Sequence, residues 1–301
     1  LPFAAESTPR FQDNGIAACA ADLVAWGSLE MSADRPGDAR AIAALLPVGT
    51  RVYVNHLPRH ALSETLSAVA ALHEAGLEPV PHLAARRLSS RAELRSFLGQ
   101  AVRAAGVSKV LVIGGDEPLP QGPYEDGAGL LRDGVLAECG VREVGLPGYP
   151  EGHPRIPQAA LRRALQEKLA LAADYGLGAY LVTQFSFTPA RIVEYCSELA
   201  REAPAVPVYI GLAGPTEPRM LLRFAQRCGV SASLRALQDQ GIAAVRLVVH
   251  TDPGKQLTAV ARYCLAHASC NVVGAHVFCF GAAVRAAEWM GGIIASRRAA
   301  P

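Results

Sequence analysis

Residues 78–116, EPVPHLAARRLSSRAELRSFLGQAVRAAGVSKVLVIGGD, hold the pattern that decides the fold. Two short apolar runs, EPVPH ending at His82 and KVLVIGGD ending at Asp116, flank a longer stretch of helical period. Ser90 and Glu93 have the spacing of a capping box, so the helix starts there. Leu94, Phe97, Leu98, Ala101, Val102 and Ala105 then recur on one face, and Gly106 stops the helix. A strand, a helix and a second strand in this order form the βα repeat of a parallel sheet.

The same unit recurs on both sides. Strands are expected to end at Glu30 (VAWGSLE), Asn55 (RVYVN), His82, Asp116, Tyr149 (EVGLPGY), Gln184 (AYLVTQ), Gly211 (VPVYIG) and Phe280 (AHVFCF). Leu62, Leu66, Val69 and Leu72 give a helix before Gly76, and Thr188 with Pro189 opens another that turns Ile192, Val193, Cys196 and Leu199 inward. Most strand ends lie roughly 25 to 35 residues apart, the length of one βα repeat, but nearly 70 separate Gly211 from Phe280. The fold expected is therefore an α/β (β/α)8 TIM barrel with extra helices before the last strand. Ala243–His250 (AAVRLVVH) reads equally as a strand or a buried helical segment. No Pro/Gly/Ser-rich linker interrupts the chain, so residues 1–301 read as a single barrel domain, with an N-terminal arm over residues 1–20.

Composition narrows the class. The chain has 301 residues, 50% hydrophobic and 19% charged, with a net charge of +2 and no basic block, which argues against a nucleic-acid partner. No apolar stretch approaches the roughly 20 residues of a membrane span, and no signal-peptide pattern opens the chain, so a cytoplasmic protein is expected. Seven cysteines without a C-x-x-C pair read as reduced, buried thiols rather than a disulfide frame or a zinc site. His250, His267 and His276 have no metal-ligand spacing, and no metal is expected.

In a βα barrel, chemistry collects at the carboxyl ends of the strands. Glu30, Asn55, His82, Asp116, Tyr149 and Gln184 all end apolar runs. The set contains two carboxylates and no nucleophile paired with a base, which points to proton or hydride chemistry rather than acyl transfer. Each residue also has a plainer reading. Glu30 would suit an ion pair with an arginine, Asp116 an Asx turn, Gln184 a contact to rim backbone, His82 and His153 a bond to a neighbouring carbonyl, and Tyr149 packing. No G-K-[ST] follows Gly114-Gly115, so this is not a phosphate loop; a glycine here more readily lets backbone approach a ligand closely.

The same segments resemble the methylenetetrahydrofolate reductase family. GSLEMSADRP, carrying Glu30, is similar to its first-strand motif. VPHLAARRL is similar to its Pro-His-Leu motif, VLVIGGDEP to its Arg-Gly-Asp-Pro region and GYPEGHP to Tyr-Pro-Glu-x-His-Pro. LVTQFSF resembles Thr-Gln-Phe-Phe-Phe, and HVFCFGAAVRA the end of the last strand, the order holding from about Trp26 to Glu288. The resemblance implies an oxidoreductase in which bound FAD takes hydride from NADH or NADPH and passes it to 5,10-methylenetetrahydrofolate, giving 5-methyltetrahydrofolate, or the reverse oxidation. The forward direction serves methionine biosynthesis; the reverse serves methyl-group catabolism.

By the same resemblance Asp116 stands beside flavin and pterin; Glu30, with Trp26 and Leu29 before it and Met31 after it, sits among apolar neighbours and is the expected general acid. Gln184 faces the pterin edge, while Asn55, His82, Gly115, Tyr149, His153 and Lys168 line the FAD site. The family often self-associates, so a homo-oligomer is compatible with the resemblance. Several positions depart from the family pattern. Gly114 replaces the Arg of Arg-Gly-Asp, Asn55 replaces Thr, YIGLAGPTEP replaces a Pro-Gly-x-x-Pro segment, and Gly281-Ala282 replace an Asn-Arg pair. Two alternatives follow from these departures: a barrel without FAD that moves hydride directly from NAD(P)H to the folate, and a non-catalytic folate- or flavin-binding barrel.

Overall fold

The computed structural model describes residues 15–56, 61–217, 220–221, 223–224, 230 and 253–298. Eight strands follow one another around a closed barrel in the order β1 to β8. They are β1 (Ser28–Ser32), β2 (Arg51–Asn55), β3 (Glu78–Ala84), β4 (Lys109–Ile113), β5 (Glu143–Gly148), β6 (Gly178–Thr183), β7 (Val208–Ala213) and β8 (Val272–Phe278). Among the described residues the helices are α1 (Gly15–Ala25), α2 (Asp38–Ala43), α3 (Leu62–Glu74), α4 (Arg91–Ala105), α5 (Gly127–Arg132), α6 (Val135–Glu138), α7 (Gln158–Asp174), α8 (Pro189–Glu202), α9 (Gly254–Ala266) and α10 (Ala283–Arg298). This is the (β/α)8 barrel expected from the repeat. α9 stands between β7 and β8, where the long spacing calls for extra helices.

The chain divides into two compact units, one of Leu29–Pro147 with Gly152–Tyr180, the other of Leu1–Ser28, Gly148–Glu151 and Leu181–Pro301. In the first, β2, β3, β4 and β5 pair in parallel, with Arg51 opposite Glu78 and Lys109 opposite Glu143. Val52, Tyr53 and Val54 are fully buried, and the Tyr53 hydroxyl donates to that of Tyr180 at 3.0 Å. Outside the sheet, α3 buries Leu62, Thr65, Ala68, Val69 and Leu72, and α4 buries Leu94, Phe97, Leu98, Ala101 and Ala105. Gly106 ends α4 in the left-handed conformation at φ 61°, which a side chain adopts only with strain. The capping box is offset by one residue. The Ser90 hydroxyl accepts from the Glu93 amide at 3.1 Å, but the Glu93 carboxylate reaches back to Ser89, accepting from its amide at 3.0 Å and its hydroxyl at 2.5 Å.

In the second unit β6, β7 and β8 pair in parallel. α1 packs on α9 and α10 and is tied to α10 by Arg297–Asp22 at 2.5 Å. Ser28 and His276 share a buried hydrogen bond of 2.9 Å. A side chain on Gly27 would collide with the Ala275 carbonyl, so that position stays glycine for close packing.

The structure corrects several expected boundaries. Val24 and Ala25 belong to α1, and β1 begins only at Ser28. Residues 15–20 are helical, within α1. β3 runs two residues past His82, whereas β4 stops at Ile113 and leaves Gly114, Gly115 and Asp116 in the following loop. β7 extends to Ala213, and β8 ends at Phe278 rather than Phe280. Leu66, Val102 and Val193, expected inward, are only half-buried. The Ala243–His250 segment lies outside the described residues.

Candidate active site

Glu30 is the middle residue of β1 and is buried, at 8% exposure. Strand alternation puts it on the face of Ser28 and Ser32, with Leu29 and Met31 on the opposite face. The apolar residues adjacent in sequence therefore do not surround its carboxyl, as a linear reading suggests. Asn55 ends β2 half-buried. His82 is buried within β3, its ring edge-on to Tyr53 at 5.8 Å between centroids.

The loop after β4 is shaped by two adjacent arginines that the sequence reading passed over. They lie in a 3₁₀ turn, Ala85–Arg87, directly after β3. The Arg86 amide donates to the Gly114 carbonyl at 3.0 Å, and its carbonyl accepts from the Gln121 amide at 2.8 Å. Its guanidinium donates to the carbonyls of Glu125 at 2.7 Å and Glu117 at 2.9 Å. Arg87 pairs with the Glu117 carboxylate and donates to the His56 carbonyl, in a largely buried position. A guanidinium fork can hold several acceptors at once in fixed directions, so this pair staples the β4 loop to the ends of β2 and β3. The only sequence signal was an Arg-Arg dipeptide after a strand, and its partners lie about 30 residues away.

Within that loop Gly115 has φ +95°, and a Cβ there would come 2.9 Å from Glu117 Oε2 and 3.4 Å from Arg86 Cβ. The position is closed to other residues by both conformation and space. A Cβ on neighbouring Gly114 would meet nothing within 4 Å. Asp116 is exposed, with Arg155 at 3.9 Å, and the same neighbourhood takes in His153. The His153 Nδ1 accepts from the Arg155 amide at 3.2 Å, so its backbone partner is an N–H rather than the carbonyl that the plainer reading expects. Burial, then Arg155, holds its pKa below the usual imidazole value despite the opposing pull of Asp116.

Lys168 reaches this region from α7. It runs beside Gly127, where a Cβ would sit 3.7 Å from Lys168 Cδ, an ordinary contact, and a tighter 3.1 Å from Val112 Cγ1. Desolvation lowers the lysine pKa, only partly offset by Asp126 and Glu167. Lys168 makes no hydrogen bond or ion pair among the described residues. Asp126 instead caps α5, accepting from the Gly129 amide at 2.8 Å.

In the second unit Tyr149 lies just past β5, half-buried, and its backbone is hydrogen-bonded to the phenol of the half-buried Tyr195. Burial pushes that phenol far above its usual pKa. Gly148 makes room for it, for a Cβ there would be 2.9 Å from the Tyr195 hydroxyl. Tyr195 is a support that the sequence reading missed, because it looked like one more residue on a helix face. Gln184 follows β6; its side-chain oxygen accepts from the Phe185 amide at 3.1 Å, which leaves its amide N–H groups to donate. Beyond it Phe185, Phe187 and Phe280 form a buried apolar cluster with Ala213 and Leu221, and Phe278 packs against it. Phe185 stands edge-on to Phe187, Phe278 and Phe280 at 5.6, 5.4 and 5.3 Å. The segments after β6 and β8 thus carry an apolar cluster, whereas β1 and β2 end on the polar Ser32 and Asn55.

A family model described as methylenetetrahydrofolate reductase matches residues 54–239, more than half of the chain. The chain belongs to the methylenetetrahydrofolate reductase family. Methylenetetrahydrofolate reductase 2 of Saccharomyces cerevisiae is 27% identical over 161 residues, which take in 50% of this chain and 26% of the yeast protein. The chain thus spans about a quarter of the length of the curated relative it matches. Among solved structures, a dihydropteroate synthase from Xanthomonas albilineans has a TM-score of 0.47 at 17% identity, covering 91% of this chain and 93% of that one. The Thermus thermophilus dihydropteroate synthase has 0.46 at 14%, covering 90% and 93%.

Among the described residues no group of His, Cys, Asp and Glu could hold a metal, and no helix is long and apolar enough to cross a membrane.

Proposed function

We propose that this family member reduces 5,10-methylenetetrahydrofolate to 5-methyltetrahydrofolate, with NADH or NADPH as the source of hydride and FAD as the bound cofactor. The observation that carries the reading is Glu30, a buried carboxyl in the middle of β1 in a chain of this family. Opening the folate's five-membered ring requires a proton at N10, and Glu30 is the residue proposed to deliver it. Ring opening leaves a cationic iminium whose carbon accepts hydride. The carboxylate of Asp116, on the stapled β4 loop, offsets that positive charge. Gln184 donates from its side-chain amide to the pterin edge.

The first unit has features that suit a dinucleotide. Lys168 is a desolvated cation without an anionic partner among the described residues, a fitting position for a pyrophosphate. Gly115 offers bare backbone for close approach, and Asn55, His82 and His153 supply polar groups for the rest of the molecule. Tyr149 is proposed for the same cofactor by the family resemblance. When bound, FAD would carry hydride from the nicotinamide to the methylene carbon.

A second reading, direct hydride transfer without FAD, is favoured by one observation: the space at Gly114 is open where the family's arginine would stand. An absorption spectrum of the purified protein at graded FAD, then with NADH or NADPH under anaerobic conditions, then with the folate, separates the two. Flavin that bleaches with the nicotinamide and recolours with methylenetetrahydrofolate supports the first. A colourless protein that still forms 5-methyltetrahydrofolate supports the second, and ligand binding without turnover leaves a non-catalytic binding barrel.

A further inference from the structure

Four of the chain's thiols gather in the second unit, and none of them has a role above. Cys19 lies on α1, Cys196 on α8, Cys264 in the last turn of α9 and Cys270 in the segment leading to β8. Cys264 and Cys270 touch, with their sulfurs 3.1 Å apart. The chain between them turns back on itself through the Cys270 amide, which donates to the His267 carbonyl at 3.0 Å. The far end of the turn is pinned by Asn271. Its side-chain amide donates to the carbonyls of Ala203 at 3.2 Å and Val206 at 2.8 Å, while its own carbonyl accepts from Val208 at 2.9 Å. The two thiols are held face to face by secondary structure on one side and a hydrogen-bonded anchor on the other. Cys264 is buried, whereas Cys270 is partly open to solvent behind the exposed residues 266–269.

We infer that Cys264 and Cys270 form a dithiol modification site that closes to a reversible disulfide when a hydroperoxide reaches Cys270. The Cys270 thiolate attacks the terminal oxygen of the hydroperoxide. A sulfur–oxygen bond forms, the oxygen–oxygen bond breaks, and the departing alkoxide takes a proton to leave as alcohol, or as water from hydrogen peroxide. Cys264 then attacks the sulfenic sulfur as it gives up its proton. The sulfur–sulfur bond forms and hydroxide leaves as water, so two thiols lose two hydrogens and two electrons to the peroxide. Reactivity is divided between the two sulfurs in the order this requires. The hydrogen bond with Cys264 holds the Cys270 thiol below its ordinary pKa, while bonds to Cys19 and Cys270, together with burial, push Cys264 well above. Sulfurs already in contact need only a small approach to reach a disulfide bond length of about 2.05 Å.

The test uses the full chain treated with hydrogen peroxide, alkylated and cut with trypsin. Cleavage after Arg262 and Arg285 releases a single peptide, residues 263–285, that carries Cys264, Cys270 and Cys279. The expected product is that peptide with one alkylated cysteine, Cys279, and two hydrogens fewer than the reduced form, restored by dithiothreitol. Cys264→Ser should abolish the loss of hydrogens and leave a Cys270 sulfenic acid that dimedone traps. A wild-type peptide that keeps three alkylated cysteines, a bond to Cys19 instead, or a Cys270 oxidised irreversibly to sulfinic acid would each overturn the inference. The wild-type result stands even if the serine variant does not fold.

Discussion

Two lysines in one unit of this protein meet opposite fates. Lys109 opens β4 and lies between the first residues of its neighbouring strands, 2.9 Å from Glu78 and 3.0 Å from Glu143. Burial opposes its charge, but the two carboxylates overcome that and raise its pKa. Lys168, on α7 near the β4 loop, has no such partner among the described residues, and burial lowers its pKa. At the amino ends of the strands the charge of Lys109 is neutralised within the protein, as a stability face requires; Lys168 keeps a desolvated charge that the proposed dinucleotide would meet. On the proposed function, the difference separates a residue that holds the fold from one that would hold a ligand.

The sharpest break in that comparison comes at the reacting carboxyl. Glu30→Gln keeps shape and loses the proton, so formation of 5-methyltetrahydrofolate should fall by about 10²- to 10⁴-fold while the thermal transition stays in place. Lys109→Met leaves Glu78 and Glu143 facing each other; chemical denaturation should show a loss of about 1–3 kcal/mol, toward the lower end because both carboxylates are partly exposed. Gly115→Ala forces a side chain into a left-handed position against Glu117, at a cost of about 1–3 kcal/mol confined to the β4 loop, which amide hydrogen exchange around residues 114–126 would register.

Alkaline pH should give the smallest effect and the cleanest sign. The raised pKa of Lys109 makes its stabilisation complete below the ordinary lysine value of about 10.4, lost only as pH climbs through the higher folded value. Lys168 is the reverse. The cost of its buried charge is relieved as pH rises through its lowered folded value, and the attraction for an anion goes with it. Dinucleotide affinity should therefore decline at a lower pH than the Lys109 contribution to stability, as parallel binding and unfolding titrations would show.

Periodicity carried much of the fold into view. The alternation in RVYVN marked β2 at its observed limits, and the apolar face before Gly106 marked α4. The boundary before β1 was hidden because Val24, Ala25 and Trp26 are apolar enough to fit either a strand or the end of a helix. At the site, Glu30 and Asn55 were legible as strand residues, but Asp116 was placed on a strand because two glycines after VLVI leave no polar signal of where pairing stops. The Arg86–Arg87 staple and the Tyr195 support were illegible for another reason. Their partners are distant in sequence, and only tertiary packing brings an arginine after β3 to a glutamate after β4, or a helix tyrosine to the backbone after β5.

The central claim is that the only partly offset charge of Lys168 is completed by a bound dinucleotide, and calorimetric titration of FAD into the wild type and Lys168→Met tests it most directly. A lost hydrogen bond to a charged group of about 1.5–3 kcal/mol corresponds to at least a tenfold weaker affinity, with the melting temperature unchanged or raised because a desolvated charge has gone. Equal affinity in the two proteins, or a variant that melts earlier as a broken internal ion pair would, contradicts the account.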